Sequence, residues 1–391
     1  MKRIKIVYYM SLLALSSVLC AKQSQPAFHR AHKVDFFTSM EWDTKKNRFF
    51  KEKYFLANTA PAKKMLEMYH ILKGLYDKND FSQKAVQGER VIPKIIHQVW
   101  VGPNTPPAIF KESQKSIQKY HPDWQYRLWT DADIPEFKLQ NQKFYDLSNN
   151  YGEKADILRY EILYRYGGVY LDADFVCLQP LDILSQYDVW VSIQPLDCGG
   201  EIANGVIGTL PGHPILKDCI DTIEDDWNAF HDKKNNLSVF DVAGPRHFQR
   251  SFMKFVKTGT ENFIAFPRSF FYPLDHKDRL LGLNNHNNKN GQKIKAKIKL
   301  ECFAIHYWAG SWWGNKQNEE MLGMSQVTVA SKGTSPVTVV SKGTSPVTVV
   351  SKGTSPVTVV SKGMSTVTVA SKETSTVTVA SKEPKQPLIK I

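Results

Sequence analysis

The segment EKADILRYEILYRYGGVYLDADF, residues 153–175, narrows the fold more than any other stretch of the chain. Ala155, Leu158, Ile162 and Tyr166 recur at helical spacing and predict a helix with one apolar face. Gly167-Gly168 stops it, and Gly167 is placed to take the left-handed C-cap conformation that a side chain resists. Val169-Tyr170-Leu171 then reads as a short strand, followed at once by Asp172 and Asp174. A helix that feeds a strand in this way is the unit of an α/β sheet, and such sheets place ligands beyond the carboxyl ends of their strands. The fold class expected is α/β with a mostly parallel sheet.

The pattern continues on both sides. VIPKIIHQVWVG holds a buried strand from Ile95 to Val101, stopped by Gly102-Pro103, and QYRLWT holds a second. VWVSIQ, NGVIGT and KLECFAIHYW are further strand candidates, so residues 91–320 form the α/β domain. Residues 22–90 read as a helical extension, in which Met65, Met68, Tyr69 and Leu72 share a face. Residues 325–384 are ten-residue repeats such as SPVTVVSKGT, with no aromatic and little apolar bulk. They cannot bury a globular core and read as a flexible or weakly β-forming stalk, with a stacked β-solenoid as the second form.

Charge and the N-terminus bound the partners. Eight lysines against two glutamates from Ser325 onward account for +6 of the formal +13, leaving +7 for the rest of the chain. That remainder suits an anionic ligand or dispersed surface lysines. There is no Cys/His finger spacing and no basic heptad, so no nucleic-acid partner is expected. Lys2, Arg3 and Lys5 precede an apolar run from Ile6 to Ala21. Residues 1–21 therefore read as a signal peptide cut near Cys20 or Ala21, which implies export to a periplasm, a lumen or the exterior. The alternative is a retained N-terminal anchor and membrane association through it. Cys177, Cys198, Cys219 and Cys302 match no zinc spacing, and they are either buried thiols or, after export, disulfide partners.

The tripeptide Asp-Ala-Asp occurs twice. Asp131 and Asp133 precede Ile134-Pro135, where aspartate caps a helix start. Asp172 and Asp174 instead leave a strand at its carboxyl end. Residues i and i+2 of an extended chain face one side, so both carboxylates can meet one hard cation. Mg²⁺ and Mn²⁺ take oxygen ligands and keep positions open for phosphate oxygens, which makes a metal diphosphate the fitting ligand.

ADILRYEILYRYGGVYLDADF resembles the sugar-binding region with the D-x-D motif shared by fungal α-1,6-mannosyltransferases, inositolphosphoceramide mannosyltransferases and the large clostridial glucosylating toxins. IPKIIHQVWVG, PDWQYRLWTD, ANGVIGTLPGHPIL and IHYWAGSWW occur in the family's order between about Ile92 and Trp313. The resemblance implies a GT-A type, Rossmann-like fold. It also implies transfer of a hexose from a nucleoside diphosphate sugar to a glycan, lipid or protein acceptor, with Mn²⁺ or Mg²⁺ and with retention of configuration. By the same resemblance, Trp100 stacks on the nucleotide base, Asp156 and Arg159 hold the donor sugar, and Tyr170 lies beside the ribose or sugar. Asp172 contacts the ribose and reaches the metal largely through water, while Asp174 is the direct ligand. His306 stands where the family places a late ligand or phosphate contact, followed by Ser311 and Trp312; the toxins use a glutamate in that region. Asn204 belongs to an Ala-Asn-Gly turn that contacts sugar or acceptor, and His97 reads as a core histidine. A metal-dependent nucleotide-sugar hydrolase and a sugar-binding surface protein on a repeat stalk are the alternative functions.

Overall fold

Among residues 91–310 the chain forms β1 (Ile95–Val99), β2 (Gln125–Trp129), β3 (Gly168–Leu171), β4 (Phe175–Cys177), β5 (Val189–Ile193), β6 (Ile202–Thr209), β7 (Phe263–Phe266) and β8 (Ala304–His306). The structure is a computed structural model that describes residues 33–79, 91–231, 238–256, 262–279, 281, 288–310 and the strands of the repeat region. Six strands make one sheet in the order β2-β1-β3-β6-β5-β7. β1 is parallel to β2 and β3, and β5 is parallel to β7. β6 alone is reversed, pairing antiparallel with β3 and β5. The sheet is thus α/β and mostly parallel, as expected, and compatible with the GT-A type. Every residue of β3, β5, β6 and β7 is buried, which is why these strands read as continuous apolar runs rather than alternating ones.

The glycine stop is obligatory for two reasons. Gly167 and Gly168 have φ of 62° and 93°, a region that favours glycine. A Cβ at Gly167 would sit 2.6 Å from Pro211 Cδ, and one at Gly168 would sit 2.6 Å from the Ile95 carbonyl. The ψ of −157° at Gly167 differs from the left-handed helical C-cap expected; the chain leaves the helix Tyr151–Tyr166 extended and enters β3 directly. At the other end of that helix Asn150 accepts from the backbone N–H groups of Gly152 and Glu153.

The extension contains the helix Ala60–Lys78, which buries Met68, Tyr69, Leu72 and Tyr76. Tyr69 donates to the Gly200 carbonyl at 2.8 Å, and the Tyr76 ring packs on Phe270. Arg268, 1% exposed, ties the extension to the body. Its guanidinium pairs with Glu41 and Asp275 and donates to the carbonyls of Tyr272 and Pro273, at 3.1 and 2.7 Å. Cys177, Cys198, Cys219 and Cys302 are free thiols, and burial pushes Cys177 and Cys219 up to about 12. Residues 1–32, including the signal-peptide segment and Cys20, lie outside the described residues. Among the described residues no helix is long and apolar enough to cross a membrane.

Residues 311–391 form a separate unit. Its strands are β9 (Val327–Lys332), β10 (Val337–Lys342), β11 (Val347–Lys352), β12 (Val357–Lys362), β13 (Val367–Ser371) and β14 (Val377–Ser381). They build two three-stranded parallel sheets, β10-β12-β14 and β13-β11-β9. Each strand pairs in register with the one two repeats away, as in Val337 opposite Val357 and Val347 opposite Val367. Among the described residues, the repeats expected as a flexible or weakly β-forming stalk carry strands paired with those two repeats away.

Candidate active site

β1, β2 and β3 are parallel, so their carboxyl ends share one edge of the sheet, and the residues that follow them gather there. Asp172 follows β3, and its backbone N–H donates to the Gly205 carbonyl at 2.9 Å. Asp174 immediately precedes β4, whose antiparallel pairing with β8 sets Phe175 opposite His306. His306 Nε2 consequently lies 3.1 Å from Asp174 Oδ1 and 3.8 Å from Asp172 Oδ2. One ligand atom from each of the three residues falls within 4.8 Å of the others. Two carboxylate oxygens and an imidazole nitrogen form a donor set suited to a divalent cation.

Asp174 is buried, and burial would raise its carboxyl. His306 and the Ala309 N–H, which donates to Oδ2 at 2.7 Å, more than offset that and hold it below the usual carboxylate range. The Ala309 N–H reaches it because Trp308 adopts φ 54°, an uncommon conformation for a large side chain. Rings enclose His306: Trp308 lies edge-on at 4.3 Å, Phe175 at 4.7 Å and Tyr272 at 5.2 Å.

A second group surrounds Arg159, which is 3% exposed. Its Nη2 lies 2.9 Å from Asp156 Oδ1 and 3.1 Å from Asp172 Oδ1, and Nη1 donates to the Asn204 carbonyl at 2.6 Å. The guanidinium lies 4.4 Å from the centre of the Tyr170 ring. Tyr170 donates through its hydroxyl to Asp172 Oδ1 at 2.9 Å, and Asn204 Nδ2 donates to Asp156 Oδ1 at 2.9 Å. The helix spacing of Asp156 and Arg159 allows an exposed surface pair, but the structure buries the pair and extends it to Asp172. Burial pushes the Asp156 carboxyl up to about 7, with Arg159 opposing and Asp172 adding to the rise.

The structure therefore brings together Asp156, Arg159, Tyr170, Asp172 and Asn204, and joins them through Asp172 to Asp174 and His306. Trp100 stands apart, just past β1 on the same sheet edge. Its indole N–H donates to the Asn104 carbonyl at 2.8 Å and its ring stacks on Phe110 at 5.8 Å. Ser311 and Trp312 lie outside the described residues. His97 is a core residue: Nδ1 accepts from the Trp129 indole, Nε2 donates to the Gly167 carbonyl, and burial lowers it to about 4. Asp133 makes a capping box with Thr130, and Asp131 accepts from the Gly102 N–H, so the first Asp-Ala-Asp is structural as expected.

One expectation is corrected. Asn204 and Gly205 lie inside strand β6, not in a turn. Glycine is needed there for close approach rather than for turning: a Cβ at Gly205 would sit 2.5 Å from Asp172 Oδ2. Gly205→Ala is expected to push the Asp172 carboxylate aside, lowering stability by about 1–3 kcal/mol and turnover by more than the stability loss explains. Thermal unfolding beside steady-state kinetics checks this, and wild-type turnover would contradict it. Two residues escaped the sequence analysis. Gln98, buried in β1, donates through Nε2 to the Asp172 carbonyl at 3.2 Å and to Ser113 at 2.9 Å. Tyr272 forms one wall of the His306 pocket.

Residues 107–190 match the family described as "Glycosyltransferase sugar-binding region containing DXD motif". The match is confined to that segment of the chain. It contains Asp156, Arg159, Tyr170, Asp172 and Asp174, while Trp100, Asn204 and His306 fall outside it. The chain is 38% identical over 153 residues to inositol phosphoceramide mannosyltransferase 2 of Schizosaccharomyces pombe, covering 38% of this chain and 43% of that protein. It is 43% identical over 129 residues to inositol phosphoceramide mannosyltransferase 3 of the same yeast, covering 32% of this chain and 35% of that protein. The chain thus spans less than half the length of either relative. The catalytic domain of alpha-toxin from Clostridium novyi superposes with a TM-score of 0.36 at 12% identity, over 74% of this chain and 92% of that domain.

Proposed function

We propose that the protein is a glycosyltransferase that moves a hexose from a nucleoside diphosphate sugar to a glycan, lipid or protein acceptor, with retention of configuration. The observation that carries this reading is the convergence of Asp172, Asp174 and His306 beside the buried Arg159 cluster, at a sheet edge to which the matched DXD region contributes both aspartates.

The chemistry of the donor set fits a divalent metal, and Asp174 and His306 would hold it with Asp172 alongside. Such an ion acts as a Lewis acid toward the charge that grows on the diphosphate as the glycosidic bond breaks. The chain's own residues do the positioning. Arg159 fixes the Asp172 carboxylate from one side, and the Tyr170 hydroxyl fixes it from the other. Asp156, held by Arg159 and Asn204, presents a carboxyl group to the donor sugar, in agreement with the family resemblance. Trp100 offers its ring to the nucleotide base on the same edge. The acceptor hydroxyl attacks on the face from which the diphosphate departs, so no protein nucleophile is assigned. Ser311 and Trp312 are proposed as further donor contacts. The N-terminal segment is proposed to export the protein or anchor it.

Acceptor-stimulated release of the nucleoside diphosphate tests the reading: turnover should rise when acceptor is added. Release that no acceptor raises would instead indicate a hydrolase. The repeat unit forms its sheets from its own strands, and is proposed as a stalk rather than a catalytic part. Removing residues after Ser325 is expected to leave metal-dependent donor binding within about twofold of the full chain, since a saturating loss would require direct contacts of several kcal/mol. Loss of binding in a folded truncated protein would contradict the stalk assignment.

A further inference from the structure

Tyr272 is 1% exposed, and its ring packs among Phe175, His306 and Trp308, with centroids at 5.4, 5.2 and 5.6 Å. Its backbone is pinned from behind, since the buried Arg268 guanidinium donates to the carbonyls of Tyr272 and Pro273. The ring is therefore fixed in place. Its hydroxyl makes no hydrogen bond with the described residues. The other buried tyrosines of the site differ in this respect: Tyr170 bonds Asp172, and Tyr160 bonds the Ala243 carbonyl.

The hydroxyl lies against Gly205, where the missing side chain permits close approach. A Cβ at Gly205 would lie 3.1 Å from the Tyr272 hydroxyl and 2.5 Å from Asp172 Oδ2, so both groups converge on the bare face of that glycine. Asp172 Oδ1 is already engaged by Arg159 and Tyr170, which leaves Oδ2 on the side shared with Tyr272 and His306. Withdrawing a phenol from water without a partner is unfavourable. Local rules of this kind are broken mainly at functional sites.

We propose that the Tyr272 hydroxyl donates a hydrogen bond to an oxygen of the bound nucleoside diphosphate sugar, making Tyr272 a further donor-contact residue. The inference rests on the glycosyltransferase reading. The oxygen belongs either to the diphosphate or to a sugar hydroxyl, and the chemistry of the contact is the same for both.

Tyr272→Phe in the full chain tests it, because the ring stays and only the hydroxyl goes. Without ligand, the thermal midpoint should stay level or rise, since a hydroxyl with no partner among the described residues is removed. With Mn²⁺, affinity for the donor should fall roughly three- to tenfold, the span of one neutral hydrogen bond, and kcat/KM should fall at least as far. If the nucleoside diphosphate alone is weakened equally, the contact is to a phosphate oxygen. If only the complete nucleotide sugar is weakened, it is to the sugar. Unchanged donor binding and turnover would overturn the proposal, and so would a lowered midpoint, which would make the hydroxyl part of the folded scaffold. A wild-type protein that binds no donor at all would refute the glycosyltransferase reading itself and this inference with it; wild-type binding that Tyr272→Phe leaves unchanged would refute the inference alone.

Discussion

Asp174→Ala is expected to abolish sugar transfer and metal-dependent nucleotide binding in a protein that still folds. Asp174 is the carboxylate nearest His306 Nε2, at 3.1 Å, and its oxygen lies within 4.8 Å of one from Asp172. Taking it away leaves one carboxylate and one imidazole, too few protein ligands to hold a divalent ion firmly beside a diphosphate. The fall in kcat/KM should be on the order of 10³-fold or more, because several kcal/mol of charge stabilisation at the leaving group are lost together. The structural cost is smaller. Oδ2 accepts from the Ala309 N–H, and leaving that donor unpaired costs roughly 1–3 kcal/mol. Circular dichroism and thermal unfolding should show a folded variant while calorimetry shows no metal-dependent binding. Activity within tenfold of wild type would remove Asp174 from the metal site.

Arg159→Met should act on stability and function at once. The guanidinium is buried against Asp156, Asp172 and the Asn204 carbonyl, so its loss strands Asp156 without its cation. Breaking a buried pair by removing one partner typically costs roughly 3–5 kcal/mol. Lysine should not rescue it, because three partners are met by the fork of one planar group. The effect should depend on pH. Asp156 titrates near 7 in the folded protein against 3.8 as the ordinary value. Its folded-state value is raised, so proton uptake favours the folded state. That contribution is complete below about 3.8 and is lost as pH rises through about 7. Without Arg159 to oppose it, the raised value rises further. The variant should therefore be most destabilised above pH 7 and partly restored toward pH 5. Equal destabilisation at pH 5 and pH 8 would contradict the buried-pair account.

What the sequence could reveal follows from how far apart the cooperating residues lie along the chain. Asp172 and Asp174 were legible because both sit in one strand exit, and Asp156 with Arg159 because helical spacing sets them on one face. The glycine stop was legible because few other residues tolerate its backbone. Burial of the Asp156–Arg159 pair was not, since the same i, i+3 spacing occurs on solvated helices. Asn204 was placed near the site but in the wrong element: an Asn-Gly pair ordinarily signals a turn, and here β6 needs glycine only to pass close to Asp172. β7 (FIAF) and β4 (FVC) were missed because four and three residues are too few to show a period. Gln98 and Tyr272 carry no local signal. They come to Asp172 through the pairing of β1 with β3 and through the Arg268 contacts to the chain around Tyr272.

The most direct test of the central claim is isothermal titration of the full chain with a panel of nucleotide sugars, with and without Mn²⁺. The site formed by Asp172, Asp174 and His306 predicts that one donor binds with Mn²⁺ and that binding is lost on chelation. A folded protein that binds no donor, or binds one equally well without metal, would contradict it.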